Sequence, residues 1–451
     1  MATAAERFAE FALELDLDAV PGEVVEAAKL HVLDVLGCGV AAHGLGIATE
    51  GRTTMAEMAG EPEAAVIGLD EALPAPSAAF ANAMLCHGLD FDDTHSDSVS
   101  HVSTVVVPAA LAVAETHGAG GRDLLTAIVA GNEIVARIGM AAPGAFHERG
   151  FHPTAICGIF GATAAAARLS GLDESPTASA LGIAGSMASG LFAYLDDATA
   201  TKPIHAAWAA HGALLAVRLA AHGAEGPPGV LEGRFGVFHA FVDRRIDLEP
   251  QLRDLGERWE TPRIAFKPYP ACHFIHGSLG ATGSLGTVDV DEIEEIVVTV
   301  PEAGVSLVLE PADSKVSPRT EYEGKFSLQY STAAMLVHGR VGLTSYTAAA
   351  LADQRVLDLA RKVRYETKEY ETYPAAFPGG VRIVLRDGRV LDAEFPHQLG
   401  APENPMSADQ VRQKFRENAA LAGGFDALED SVLSLEEVED VRGLLAQKVA
   451  A

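Results

Sequence analysis

Val381–Phe395 reads VRIVLRDGRVLDAEF. Two runs with strand character flank Asp387-Gly388. An Asp-Gly pair between such runs is a strong hairpin signal, because its residues tolerate the positive φ of a two-residue turn. Ile293–Pro301, IEEIVVTVP, has the β-branched run of a further strand. Helix-like stretches lie between and before these strands, near 275–285, 326–338 and 345–362. Residues 265–396 are therefore expected to form an α+β domain.

Outward from this region, in both directions, the texture changes. Up to about residue 260 the chain is rich in Ala, Leu and Gly, with apolar residues three and four apart. In 22–42, Val24, Val25, Ala28, Leu30, Val32, Leu33, Val35 and Leu36 give a broad apolar helix face behind Pro21, which suits a first turn. Further helices are expected near 5–15, 75–90, 103–117, 123–140, 154–170, 176–190 and 203–223, with Gly118, Gly171 and Gly223 as stops. Thr177–Leu195 carries no charge over a membrane-spanning length. It is mostly Ala, Gly and Ser, however, and reads as a tightly packed helix with a turn. Beyond 396 the helical texture returns, with Ser407 as a cap for 408–420 and a second helix over 434–448. The expected architecture is mainly α: a helical domain from 1–264 and 397–451, with 265–396 inserted.

Composition narrows the function classes. The 451 residues are 48% hydrophobic, which argues against disorder. Asp+Glu number 62 and Lys+Arg 33, a formal charge of −29. So acidic a body repels nucleic acid and anionic membrane surfaces. An anionic small substrate would need a locally cationic pocket, while the plain reading of the charge is solubility or a salty habitat. Cys38, Cys86, Cys157 and Cys272 are far apart without a CxxC pair, which fits a reducing cytoplasm. The N-terminus shows no basic region followed by an apolar core, so no signal peptide is expected.

The densest polar stretch runs from His87 through Asp90, Asp92, Asp93, Thr94, His95 and Asp97 to His101. It suits either a hard metal site of imidazole and carboxylate ligands or proton-transfer groups tuned by mutual proximity. A helix end with solvated acids is the plain alternative. A second cluster is Gly150-Phe-His152-Pro153, followed by small residues that permit close approach of a chain segment or a ligand. Two lysines, Lys202 and Lys267, each precede a proline, which predicts extended backbone and a fixed side-chain direction. At the start of a helix Lys202 opposes the dipole, which hints at a nearby anion. Lys267-Pro-Tyr-Pro-Ala-Cys272-His273-Phe-Ile-His276 sits where the two textures meet, and seams between domains favour ligand sites. Phosphate loops, GxSxG and HExxH are absent, and His205 and His211, six apart, do not share a helix face as a metal pair would.

Taken together, these clusters resemble the MmgE/PrpD family. The likeness rests on His87-Gly-Leu-Asp-Phe-Asp-Asp-Thr94, His101, Gly150-Phe-His-Pro-Thr-Ala-Ile156, Thr201-Lys-Pro-Ile-His205, Lys267-Pro-Tyr-Pro-Ala-Cys272 with His276, Gly324–Tyr330 and Pro402–Ser407, in order along most of the chain. The family groups 2-methylcitrate dehydratases, cis-aconitate decarboxylases and iminodisuccinate epimerases. The resemblance implies a helical domain built by both chain ends, an inserted α+β lid, and a homodimer without cofactor or metal. It places His101 and His152 as acid/base groups, Asp90 and Thr94 as orienting or substrate-binding groups, and Lys202 and Lys267 as carboxylate clamps, with Cys272 and His276 beside them. Two departures matter. His101-Val-Ser103 replaces the common His-Pro-Ser, and Cys272 stands where decarboxylases carry a histidine, which argues against that branch. The length is near that of the shorter bacterial members, the epimerase among them.

The expected function is thus a cofactor-independent lyase of the 2-methylcitrate dehydratase kind, acting on a small di- or tricarboxylate in the cytoplasm. An iminodisuccinate-type epimerase stands next, then a cis-aconitate decarboxylase. A metal-dependent hydratase or hydrolase using His87, Asp90, Asp93 and His95 stands last.

Overall fold

Alanine- and glycine-rich sequence makes thin helices, and thin helices pack backbone to backbone. In the computed structural model, which describes residues 2–58, 60–195, 199–373 and 375–445, the principal helices before residue 222 are α1 (Ala4–Glu14), α2 (Gly22–Leu45), α3 (Ala75–His87), α4 (Ser103–His117), α5 (Gly121–Met140), α6 (Pro153–Leu169), α7 (Glu174–Gly185) and α8 (Lys202–Ala221). Shorter helical turns link them. Gly118 ends α4 in the left-handed conformation at φ 62°. Gly171 and Gly223, at φ 66° and 86°, follow the ends of α6 and α8, as expected of residues without a Cβ.

The α6 helix is central. It packs against α4, α5, α7 and α8 and is buried from Pro153 to Ala167. Its small residues explain this. A Cβ on Gly161 would lie 2.3 Å from the Gly131 carbonyl oxygen of α5, and one on Gly158 would lie 2.8 Å from a Val105 methyl of α4. The small residues after His152 thus serve helix packing. The uncharged Thr177–Leu195 stretch is part of α7 followed by a short 3₁₀ turn, Phe192–Leu195.

Lys267–Met406 form a second compact unit. Its sheet has the order β2-β1-β3-β4, with β1 (Ile293–Val300), β2 (Val363–Thr367), β3 (Gly379–Leu385) and β4 (Val390–Phe395). The β3–β4 pair is the expected hairpin: Leu385 N–H donates to Arg389 O, and Gly388 turns at φ 87°. Register runs from Gly379 opposite Phe395 to Val384 opposite Val390. Helices α9 (His273–Ser284) and α10 (Leu328–His338) pack together, α9 also lying against β3. The helix expected over 345–362 is instead a 3₁₀ turn, Leu343–Tyr346, and two short helices, Ala348–Leu351 and Gln354–Ala360. These lead into β2, a strand the sequence did not announce.

From Ser407 the chain rejoins the first unit. Ser407 and Gln410 form a reciprocal capping box for α11 (Ala408–Ala419), which packs on α2. Lys414 is buried, with Nζ 2.6 Å from Asp34 of α2 and 2.7 Å from the Phe91 carbonyl oxygen. A chain end thereby fixes the polar loop that follows α3. The next helix is α12 (Asp426–Leu433), and the helix expected over 434–448 is a 3₁₀ turn at Leu435–Glu437. Residues 446–448 of that expectation lie outside the described residues.

Candidate active site

The loop joining α3 to α4 carries the acidic and imidazole cluster. It leaves α3 at His87 and turns at Asp90, whose φ of 51° is left-handed. Aspartate tolerates that conformation better than most residues with a Cβ, yet it remains uncommon and clusters at functional sites. An antiparallel bridge anchors the loop: Thr94 N–H donates to Ala265 O at 2.8 Å, and Ala265 N–H to Thr94 O at 2.8 Å.

His101 is held on both sides. Its backbone N–H donates to Thr154 Oγ1 at 3.0 Å. Its Nδ1 lies 2.8 Å from the Asp93 carbonyl oxygen, which can only accept, so Nδ1 carries the proton. Thr94 Oγ1 and an Asp92 carboxylate oxygen stand behind the same nitrogen at 3.3 and 3.4 Å. A neutral His101 therefore presents Nε2 as a lone pair. That atom is 3.4 Å from Lys202 Nζ and 3.6 Å from an Asp90 carboxylate oxygen. Lys202 Nζ and the same Asp90 oxygen are 2.6 Å apart. The anion expected near the start of α8 is thus the Asp90 carboxylate. Lys202 is itself the first residue of α8, not an extended residue before it, because the first turn of a helix accommodates the following proline.

Behind this face lies a second layer. His87 Nδ1 donates to Asp92 at 2.7 Å, which leaves its buried Nε2 without a hydrogen-bond partner among the described residues. Burial pushes the His87 imidazole down to about 4, against the pull of Asp92. Burial alone would raise the Asp92 carboxyl, but the imidazoles of His87 and His101 outweigh it and hold that group well below its ordinary range. His152 caps α6 in extended conformation, at φ −87° and ψ 105°, as a residue before proline should. Its ring centroid is 5.6 Å from that of His87 and 6.4 Å from that of His101. Burial, then the charge of Lys202, holds His152 well below the usual imidazole value.

Two neighbours carried no clear sequence signal. His205 reaches His152, Nδ1 to Nδ1, at 3.2 Å. In the sequence His205 stands out only as the end of the Thr201-Lys-Pro-Ile-His205 stretch, and its spacing of three from Lys202 puts both on one side of α8. His147 packs on Phe192 at 4.6 Å between centroids and is pushed by burial to about 4.

The metal reading named His87, Asp90, Asp93 and His95, and these do not gather. His95 Nε2 faces Glu260 at 3.3 Å, and Asp93 faces His31 at 2.9 Å. His87, Asp92 and His101 do offer ligand-type atoms within 4.8 Å of one another. Those atoms already bond to each other and to the Asp93 carbonyl, an arrangement of oriented imidazoles.

Lys267, Cys272 and His276 belong to the second unit, which Lys267 opens. Cys272 caps α9, with its backbone N–H donating to Lys325 O at 3.0 Å. His276 is buried within α9, with Nε2 3.0 Å from Ala271 O and its ring against Tyr269 and His273. The first unit thus joins Asp90, Thr94, His101, His152 and Lys202, whereas Lys267, Cys272 and His276 lie in the second.

Comparison with known proteins gives a consistent pattern. Residues 6–249 match the MmgE/PrpD N-terminal domain, and residues 269–436 match the MmgE/PrpD C-terminal domain. Among curated relatives, a cis-aconitate decarboxylase-like protein of Aspergillus oryzae is 29% identical over 96% of this chain and 94% of its own length. The cis-aconitate decarboxylases of Homo sapiens and Aspergillus terreus are each 29% identical, over 97% and 96% of this chain and 92% and 94% of their own lengths.

Proposed function

Because the chain belongs to the MmgE/PrpD family, we propose that it is a cofactor-independent lyase acting on a small di- or tricarboxylate. The observation that carries this reading is one contact set. Lys202 Nζ lies 2.6 Å from the Asp90 carboxylate and 3.4 Å from the Nε2 lone pair of His101.

The chemistry follows from those atoms. Charge developing on a substrate carboxylate is the barrier when the neighbouring carbon loses a proton or carbon dioxide. A cation already held against a carboxylate is oriented for that task, and preorganised donors of this kind contribute about 100-fold or more each. A substrate carboxylate takes up Lys202 alongside Asp90. His101 Nε2 then removes or returns a proton, and His152, kept neutral beside it, serves as the second acid/base group. The Asp93 carbonyl, with Thr94 and Asp92 behind it, holds His101 in its reactive tautomer. Lys267, Cys272 and His276 would complete substrate binding, and the active form would be a cytoplasmic homodimer.

Dehydration of a 2-methylcitrate-like hydroxy acid is the finer reading. The departure at Cys272, where decarboxylases of the family carry histidine, supports it. Decarboxylation of a cis-aconitate-like acid is the second, supported by the names of the relatives above, and epimerisation of an iminodisuccinate-like acid is the third. One experiment separates them. Purified protein is incubated in deuterated water with 2-methylcitrate, citrate, cis-aconitate and iminodisuccinate and followed by proton NMR. Alkene formation with loss of water identifies the dehydratase. A methylene product with carbon dioxide identifies the decarboxylase, and deuterium exchange with inversion alone identifies the epimerase. Inertness toward every acid would remove the lyase reading.

A further inference from the structure

His152 and His205 meet through the same ring atom, with Nδ1 to Nδ1 at 3.2 Å. Two bare lone pairs repel at that distance, so one N–H lies between them. It can sit in two ways. When His152 carries it, His152 Nε2 is a bare lone pair able to accept a proton. When His205 carries it, His152 holds its own proton on Nε2 and is able to give one.

Packing enforces the meeting. His152 N–H donates to Gly190 O at 3.0 Å. Gly190 sits at φ +127°, and a Cβ there would lie 3.3 Å from His205 Cγ and 3.4 Å from His152 Cβ. A side chain there would strain the backbone and press on both imidazoles. The pair also bridges two environments, since His152 is buried and His205 half-buried. Facing His152 are His87, His101 and Lys202, and facing His205 are Lys202 and the Tyr194 ring at 5.9 Å. Those imidazoles and the ammonium all oppose a positive charge on His152, as does its burial. In such surroundings His152 accepts a proton only by releasing another.

We propose that His205 is a positioning residue that receives this second proton, linking His152 to solvent. The proposal rests on the lyase reading above and names the route by which that site resets. The substrate's C–H electron pair stays on carbon, and its proton passes to His152 Nε2. The His152 Nδ1 proton passes to His205 Nδ1. His205 releases its own Nε2 proton to water. Both rings end neutral, with their tautomers exchanged, and the reverse sequence delivers a proton to carbon.

The test compares His205→Ala and His205→Asn with wild type in the full-length protein. Loss of an acid/base partner is expected to lower kcat about 100-fold or more, with KM changing less than about threefold. Imidazole added to the buffer should restore part of the rate of His205→Ala. His205→Asn offers hydrogen bonding without proton relay and should stay slow. Wild-type kcat in either variant would overturn the relay, as would a loss that raises KM and does not respond to imidazole. Ring nitrogen-15 NMR gives a readout that needs no substrate. A single N–H shared between the Nδ1 atoms of His152 and His205 is expected, and two rings that titrate independently would overturn the proposal. Should wild type act on no carboxylate, the lyase reading fails, and the NMR result still decides the pair.

Discussion

At the scale of single residues, the Lys202–Asp90 contact makes the sharpest prediction. The pair is partly open to solvent, with side-chain exposures of 19% and 39%. Such pairs add at most about 1 kcal/mol to stability, so neutralising either partner should leave the melting temperature nearly unchanged. Lys202→Met is expected to lower kcat/KM about 100-fold or more. Asp90→Asn is a clean companion, because Asn tolerates positive φ as Asp does, and a fall of about 10-fold or more is expected. Steady-state kinetics and a thermal melt measured together check both, and a loss of activity matched by a loss of stability would contradict them. Much of this site was legible in sequence. Asp90, His101 and Lys202 sit in dense, recognisable clusters, and the dipole misfit at Lys202 pointed to the anion that Asp90 supplies. The His152–His205 contact was not legible, because 53 positions separate the two and the packing of α8 on α6 brings them together.

At the scale of elements, glycine decides how close helices come. Gly161→Ala would place a Cβ 2.3 Å from the Gly131 carbonyl oxygen, and backbone cannot yield as a side-chain tip can. A loss of about 1–3 kcal/mol is expected in urea denaturation. Gly22→Ala, at the open first turn of α2 with nothing within 4 Å, should instead be neutral or gain up to about 1 kcal/mol. Glu115 of α4 makes a second test. It accepts from Ala65 N–H at 2.7 Å, and burial pushes its carboxyl up to about 7. A folded value above the unfolded one means that the native state holds the proton more tightly. Stability contributed by Glu115 is then full below about pH 4.5 and is lost as pH rises through 7. Glu115→Gln should be more stable than wild type at pH 8, by of the order of 2 kcal/mol, and should lose that advantage by pH 4.5. Denaturation at the two pH values checks it. Elements were readable where local chemistry is strong, as at the Asp387-Gly388 turn and the Ser407 cap. They were obscure where tertiary pairing decides. In β2 only Val363 is buried, so its strand state comes from parallel pairing with β1, and the alternation of Val363-Arg-Tyr-Glu is too short to mark it. The alanine-rich 345–362 stretch has helical composition, but Thr347 and Asp353 each restart a short helix by capping it.

At the scale of the whole molecule, the outer face of α8 stands out. Ile204, Trp208, Leu215 and Leu219 recur at helical spacing along it and remain 38–41% exposed. An exposed apolar stripe of this kind marks an interaction surface. By length and composition α8 could also cross a membrane, but 56% of that stretch is buried within the protein, so a bilayer would meet the stripe alone. The charge of −29 repels an anionic bilayer. It repels a second copy of the chain too, yet an uncharged stripe is where two copies approach with least opposition, and two-fold pairing sets the same stripe on itself. The homodimer expected from the family resemblance is therefore predicted to form along α8. Sedimentation should show a dimer that Trp208→Glu with Leu215→Glu converts to monomer. Salt gives an independent check with a fixed sign. A dimer joined by apolar contact between two strongly acidic bodies should tighten as ionic strength rises, because screening removes the repulsion and leaves the contact. A dimer joined by ion pairs would loosen over the same range, and that outcome would place the interface elsewhere.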